Sequence, residues 1–465
     1  MTYPTNADFI VPDAIRDDFS DAMSRMYRTE VGAYGDLLRI VSEVNAGVLA
    51  SDDADLLNLT PEEDIDRISL ERHAAIRVGT AQELAMIARI FAVMGMHPVG
   101  YYDLSAAGVP VHSTAFRPKN RKALARNPFR IFTSLLRLEL IEDADLRRTA
   151  AEILARRRIF TPDAIALTER AEAQGGLTGE EAVRFVAAIL ETFRWHERAC
   201  VDLGTFRALN EAHRLIADVV SVKGLHINHL TPRTLDIDAA QAAMQAAGLP
   251  AKAVIEGPPR RRCPILLRQT SFKAMQEQVT FPGADGAARI GHHTARFGEI
   301  EQRGVALTPK GRALYDRLLG TVRSPCPSGE TATYEERLAT AFAAFPDNWR
   351  TLHAEGLAYF KFSLARAPDA PIPADRFDAT ALVDTGVLAL SPVIYEDFLP
   401  VSAAGIFQSN LGDEPSVIYD AGPGCAAFEA ALGMPLADEF TLYAGIESAS
   451  IARCRARLAS GQAAA

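Results

Sequence analysis

The sequence has little of several features that would assign it to a common class of protein. Its five cysteines lie far apart and form no CxxC pair, so neither a disulfide framework nor a cysteine zinc site is predicted. No apolar run approaches the roughly 18 residues that a membrane-spanning helix needs. The N-terminal stretch carries four aspartates where a signal peptide would begin with basic residues. These absences favour a soluble cytoplasmic protein that does not bind membranes.

An excess of positive charge is also missing. The 49 lysines and arginines are outnumbered by 59 aspartates and glutamates, which gives a formal net charge of −10. Because such a chain repels a phosphate backbone, nucleic acid is not an expected partner. Hydrophobic residues at 48% and charged residues at 23% of the 465 predict a folded chain. Walker, HExxH and GxSxG motifs are absent as well, so the site must be sought elsewhere.

Apolar periodicity divides the chain into five regions. Steps of three and four predict a helical N-terminal segment over residues 1–66 and a helical insertion over 144–222. Residues 67–143 and 223–320 each follow the order strand, helix, strand and further strands, which indicates two βαβββ units. The last region, 321–465, gives a mixed pattern. The predicted fold class is therefore α+β.

Polar side chains on the predicted strands mark a candidate site. In the first unit, His73, Ala75 and Arg77 alternate along one strand and so share one of its faces. In the second unit, His226 and His229 are three residues apart and face opposite sides of a strand. Only one of these two histidines can therefore enter a cavity shared with the first unit.

Two carboxylates complete the candidate set. Glu299 and Glu301 share one face of a predicted strand, which is unusual for a half-buried strand unless they meet cations, a metal or water. Two imidazoles and one carboxylate would form the facial triad of non-haem Fe(II) oxygenases, which leaves three positions open. The spacing alone leaves His226 and Glu301 open as alternative ligands. Glu301 could instead pair with an inward arginine such as Arg303 or Arg77.

Several stretches in combination resemble a known family. Residues 297–303, Phe-Gly-Glu-Ile-Glu-Gln-Arg, resemble the motif in which 4-hydroxyphenylpyruvate dioxygenase and hydroxymandelate synthase carry their iron-binding glutamate. The strand start at Asn228 resembles that of the same vicinal-oxygen-chelate superfamily, with asparagine in place of aspartate. Together with residues 71–77 and 129–141, these stretches resemble the bacterial 2-oxoadipate dioxygenase/decarboxylases, also called hydroxyglutarate synthases. The resemblance covers most of the chain from about residue 15 to 435.

The resemblance implies a fold, a metal and a reaction. The two βαβββ units would form a half-barrel of the vicinal-oxygen-chelate type around Fe(II). His73, His229 and Glu299 would bind the iron, which selects His229 over His226. The implied reaction converts 2-oxoadipate and O2 to 2-hydroxyglutarate and CO2 in lysine breakdown.

Contacts with the substrate are predicted as well. Arg77 lies roughly 13 Å along the strand from His73 between Cα atoms, so its guanidinium could meet the far carboxylate of a six-carbon diacid. With the three metal ligands, Arg77 makes up the predicted catalytic set. The family also uses its C-terminal region as a cover over the site. There, Val401 and Ser402 are predicted to approach a substrate carboxylate through their backbone amides.

Other interpretations remain open from the sequence. A Zn(II), Ni(II) or Mn(II) lyase or isomerase of the same superfamily would act on a dicarboxylate without O2. A non-catalytic protein could hold a dicarboxylate between an arginine and the metal. On the strand expected to face the site, either Arg268 and Thr270 or Gln269 and Ser271 would line the pocket. The expected partners are a small 2-oxo dicarboxylate and O2, and no oligomeric state is predicted.

Overall fold

The computed structural model describes most of the chain as an α+β protein. The described residues are 9–51, 65–272, 276–283, 287–294, 296–323, 333–366, 372–399 and 423–460. The strands are β1 (Arg72–Val78), β2 (His97–Asp103), β3 (Val111–Arg117), β4 (Arg130–Leu136), β5 (His229–Pro232), β6 (Leu267–Ser271), β7 (Glu277–Pro282), β8 (Ala288–His293), β9 (Glu299–Arg303), β10 (Phe360–Leu364) and β11 (Leu388–Pro392).

The helices surround these strands. They are α1 (Pro12–Glu30), α2 (Gly32–Ala50), α3 (Ile65–Leu70), α4 (Ala81–Val93), α5 (Arg121–Arg126), α6 (Ala144–Arg156), α7 (Pro162–Gln174), α8 (Gly179–Leu190), α9 (Leu203–Ala212), α10 (Arg214–Ser221), α11 (Ile237–Ala246), α12 (Pro309–Arg323), α13 (Tyr334–Phe342), α14 (Trp349–Ala354), α15 (Ala379–Asp384), α16 (Pro423–Leu432) and α17 (Glu439–Ser460). Within the described ranges, no helix is both long and apolar enough to cross a membrane.

A five-stranded mixed sheet carries the first unit, in the order β2-β3-β4-β1-β5. After β1, the Thr80 side chain accepts a hydrogen bond from the Glu83 amide and starts α4. The helix returns the chain to β2, which pairs antiparallel with β3, and β3 with β4. β4 then lies parallel to β1. The elements of this unit therefore follow the order strand, helix and three strands, with the short α5 between β3 and β4.

The second unit joins the first through β5, which pairs antiparallel with β1. After α11, the strands β6 and β9 pair antiparallel, and β7 and β8 form a separate hairpin. Residues 251–256 form no continuous strand, because this stretch makes only isolated bridges to β6 and to Phe272. The β7–β8 hairpin was not predicted from the sequence, since β8 is largely exposed and lacks an alternating apolar face.

The N-terminal helices fasten the strands that carry the site. Their apolar stripe includes Phe19, Met23 and Tyr27, all fully buried. The Tyr27 hydroxyl donates to the backbone carbonyl of Phe297 at 2.8 Å and lies 3.3 Å from that of Asn228. One side chain thus ties α1 to the approaches of both β5 and β9, which positions the two strands of the second unit relative to each other.

Candidate active site

Strand register brings three predicted ligands to one buried place. In the β1–β5 pair, His73 lies opposite Thr231 and Ala75 lies opposite His229. Because directly opposed residues share a face of the sheet, both histidines point to the same side. Glu299 reaches this place from the start of β9. All three side chains have zero exposure.

The three side chains fit a divalent metal ion. One ligand atom from each of His73, His229 and Glu299 lies within 4.8 Å of the other two. His73 Nε2 is 3.1 Å from Glu299 Oε1. Glu299 Oε2 is buried and has no hydrogen-bond partner among the described residues, a state that is costly unless a cation or water occupies the space. Two imidazoles and a carboxylate are also the donor set of a facial triad.

Neighbouring polar groups orient two of these ligands. The Thr231 hydroxyl donates to Glu299 Oε1 at 3.1 Å, and Gln269 Nε2 donates to the same oxygen at 2.9 Å. Because the hydroxyl has a single proton, its contact of 3.0 Å with His229 Nδ1 is one in which it accepts. His229 is thereby held in the tautomer that leaves Nε2 for a metal. The sequence left open which face of β6 lines the site, and the structure brings Gln269 to it.

Aromatic rings cover the imidazoles. Phe297 stacks on His229 with 4.9 Å between the ring centroids, and Phe398 meets His73 edge-on at 4.9 Å. Both phenylalanines are buried. A hydrophobic shell of this kind restricts water and lowers the local dielectric around a metal centre.

Glu301 lies on the opposite edge of His73. Its Oε2 is 3.1 Å from His73 Nδ1, and Arg303 donates to both of its oxygens at 2.8 and 2.9 Å. Burial disfavours the ionised carboxylate, but Arg303 and His73 outweigh it and lower the pKa of Glu301 to about 2. The group that fits a metal includes neither Glu301 nor His226 within the described part of the chain. The predicted pairing of Glu301 with Arg303 is present.

The far end of β1 carries a second buried polar cluster. Arg77 Nη1 donates to Asp218 Oδ2 at 2.6 Å. The other oxygen of Asp218 lies 3.2 Å from His226 Nε2 and 2.7 Å from His293 Nε2. Burial opposes ionisation, yet His226, His293 and Arg77 hold the pKa of Asp218 well below its usual value. His226 therefore belongs to the Arg77 end of the strand.

A network of buried arginines lies beside the candidate metal ligands. Glu71 has zero exposure and sits within 3.3 Å of the guanidinium nitrogens of Arg67, Arg130, Arg233 and Arg303. Burial raises the pKa of Glu71, but these arginines together hold it well below its usual value. Each charge is paired, which is the condition for burying ions at tolerable cost.

Some site residues were missed by sequence reasoning, and others cannot be placed. Val401 and Ser402 lie outside the described residues and stay predictions. Thr231 and Phe398 have no distinguishing sequence signal. Asp218 does have a sequence signal, because it is a single acid inside the otherwise apolar stretch of α10. In the structure every residue from Leu215 to Ser221 is buried.

This buried centre defines a class of protein: a metal-dependent enzyme whose ion would be held by two histidines and one glutamate. A family model described as 2-oxoadipate dioxygenase/decarboxylase matches residues 19–410. The chain belongs to this family, which confirms the resemblance seen in the sequence.

Relatives match over nearly the whole chain. A 2-oxoadipate dioxygenase/decarboxylase of Pseudomonas putida is 54% identical over 98% of this chain and 99% of its own length. One from Mycobacterium bovis is 40% identical over 92% and 95%. The crystal structure of the hydroxyglutarate synthase from Pseudomonas putida in complex with 2-oxoadipate has a TM-score of 0.88 at 53% identity, covering 97% of this chain and all of that one.

Proposed function

We propose that this chain converts 2-oxoadipate and O2 to 2-hydroxyglutarate and CO2 in lysine breakdown, with Fe(II) as its metal. The buried group of His73, His229 and Glu299 carries the proposal, together with the 53% identity to a synthase crystallised with 2-oxoadipate. The reaction balances without a further reductant. The carboxylate next to the keto group leaves as CO2, one oxygen atom enters the new carboxylate, and the other enters the hydroxyl group.

The residues around the ion have separate roles in this proposal. Bound Fe(II), held by His73, His229 and Glu299, would supply a Lewis acid for the 2-oxo acid head and electrons for the activation of O2. Thr231 and Gln269 hold Glu299 Oε1 and so keep the carboxylate in one orientation. Phe297 and Phe398 cover the imidazoles and keep bulk water away from them.

Selection of a diacid is assigned to the Arg77 end of β1. A guanidinium binds a carboxylate with good geometry because its donors lie in one plane. Arg77 Nη1 donates to Asp218 Oδ2, so a substrate carboxylate would be bound beside an existing ion pair. Val401 and Ser402 are proposed as additional contacts with a substrate carboxylate.

Anaerobic reconstitution with Fe(II), followed by 2-oxoadipate and O2 labelled with oxygen-18, tests the function. We expect one O2 consumed per CO2 released, with one labelled atom in the hydroxyl group and one in the new carboxylate. An iron-loaded protein that takes up no oxygen would refute the proposal. Product formed without oxygen uptake would favour a lyase or isomerase, and binding of 2-oxoadipate without turnover would favour a binding protein.

We also propose that the two units form a half-barrel of the vicinal-oxygen-chelate type, with boundaries at residues 67–143 and 223–320. The joining of β5 to β1 and the position of the metal ligands on strands of both units support this arrangement. Residues 1–66, 144–222 and 321–465 are then additions to that core. Of the described cysteines, Cys200, Cys425 and Cys454 take part in no disulfide, which supports the proposed cytoplasmic location.

A further inference from the structure

One imidazole of the centre lies between two carboxylates. His73 Nε2 is 3.1 Å from Glu299 Oε1, and His73 Nδ1 is 3.1 Å from Glu301 Oε2. Both glutamates come from one face of β9, where Ser271 lies opposite Glu299 and Gln269 lies opposite Glu301. The alternation of that short strand therefore places one carboxylate on each edge of the ring.

We propose that Glu301 is a positioning residue, which holds His73 through Nδ1 and thereby presents Nε2 to the metal. With Nε2 on a metal, a neutral imidazole carries its proton on Nδ1, which lies against the Glu301 carboxylate, although neither ring nitrogen of His73 makes an aligned hydrogen bond in this structure. A carboxylate in that place fixes the tautomer and orientation of the ring and makes the other nitrogen a stronger ligand. This inference rests on the proposed metal centre, and it gives the second glutamate of the motif a task other than ligation.

Arg303 supports this assignment because it fixes Glu301 in turn. It contacts both oxygens of the carboxylate, and its Nη1 donates to the backbone carbonyls of Tyr395 at 2.7 Å and Asp397 at 3.0 Å. With Arg303, Glu301 and His73 all buried, the carboxylate has little freedom to turn away from the ring.

The same arginine also holds the ring that covers His73. The guanidinium carbon of Arg303 lies 5.6 Å from the centroid of Phe398, which meets the imidazole edge-on. His73 is therefore constrained by Glu301 at one edge and by Phe398 at its side. Two independent contacts that converge on one ligand are the arrangement expected when its orientation matters.

Metal affinity measured in the absence of substrate tests the proposal. Glu301→Asp keeps the charge that Arg303 needs but withdraws the carboxylate by about 1.5 Å, one carbon–carbon bond. We expect the Kd for Co(II), followed by its visible absorption, to rise roughly 10- to 100-fold, the usual cost of losing an outer partner. The Co(II) absorption bands should shift as well, because the ligand orientation changes.

Glu83→Asp is the matched control. Glu83 is also buried and is held by an arginine through both oxygens, with Arg157 at 2.9 and 2.6 Å, but it belongs to the cap of α4. Its shortening should leave the Kd for Co(II) and the spectrum unchanged.

The outcomes separate the inference from the proposed function. A folded Glu301→Asp variant with wild-type Co(II) affinity and spectrum would overturn the positioning role. If that variant does not fold, as judged by circular dichroism, Glu301→Gln replaces it in the test. Weaker Co(II) binding with shifted absorption bands would then support the positioning role, and wild-type affinity and spectrum would overturn it. Co(II) binding that survives in His73→Ala would instead contradict the proposed metal centre.

Discussion

The two ends of β1 hold their functional side chains in different ways. His73 has zero exposure and lies between Glu299 and Glu301, both on β9, with Phe398 against its ring. Arg77, at 9% exposure, contacts Asp218 on a helix of the 144–222 insertion. Strand register thus positions the partners of His73, whereas the packing of an inserted helix positions the partner of Arg77. The comparison teaches that one strand can present two sets of buried polar side chains whose partners come from different elements of the fold.

Charge compensation also differs between the two ends. At the His73 end, several arginines surround Glu71 and Glu301, so that the buried carboxylates beside the candidate centre are each compensated by a positive charge. At the Arg77 end, one carboxylate receives an arginine and two histidines. We therefore expect that loss of a charge near His73 changes metal binding, and that loss of a charge near Arg77 changes substrate binding.

The largest effect is expected from His73→Ala. Removal of a ligand should abolish Co(II) binding and oxygen uptake, a greater loss than the roughly 10- to 100-fold expected for an outer partner. Metal titration and oxygen electrode measurements check this. His226→Gln is the control, because His226 lies with Asp218 and should leave Co(II) affinity unchanged. A loss of metal in His226→Gln would show that the separation of the two ends is wrong.

A large effect on substrate selection is expected from Arg77→Ala. Loss of hydrogen bonds to a charged group should lower kcat/KM for 2-oxoadipate by roughly 10- to 100-fold, with Co(II) affinity unchanged. The preference for 2-oxoadipate over 2-oxohexanoate, which lacks the far carboxylate, should disappear. Steady-state kinetics with both acids measure this preference. Normal activity of the variant on 2-oxoadipate would refute the assigned role.

A smaller effect is expected from Asp218→Asn. The amide can still accept a hydrogen bond from Arg77 but no longer offers a charge, so the guanidinium should be less well oriented. We expect KM for 2-oxoadipate to rise by up to about tenfold while kcat and Co(II) affinity stay the same. The split between KM and kcat is the informative measurement. If Co(II) affinity fell by the same factor as KM rises, the His73 and Arg77 ends of β1 would be coupled.

The smallest effect concerns stability as a function of pH. The pKa of Asp218 is lowered in the folded protein, so its ionised form stabilises the fold above the unfolded pKa of about 3.9. This contribution is lost as the pH falls below that value. The difference in Tm between wild type and Asp218→Asn should shrink as the pH falls from about 5 toward 3. A difference independent of pH would contradict this ionic contribution.

Much of the candidate metal centre could be predicted from the sequence. Strand alternation placed His73 and Arg77 on one face, and the resemblance selected His229 and Glu299, which the structure brings within 4.8 Å of His73. The partner of Arg77 could not be predicted, because Asp218 lies 141 residues away. Nor could Phe398, a single phenylalanine far along the chain from the imidazole that it covers.

The sequence by itself determined which side chains face together, because the periods of strands and helices are local properties of the backbone. It also determined the family. Only the tertiary structure decided how those faces meet: the pairing of β5 with β1, the two glutamates on opposite edges of His73, and the helix that brings Asp218 to Arg77. These contacts join residues distant in the chain, and their energies depend on burial and on the pairing of charges within a packed core.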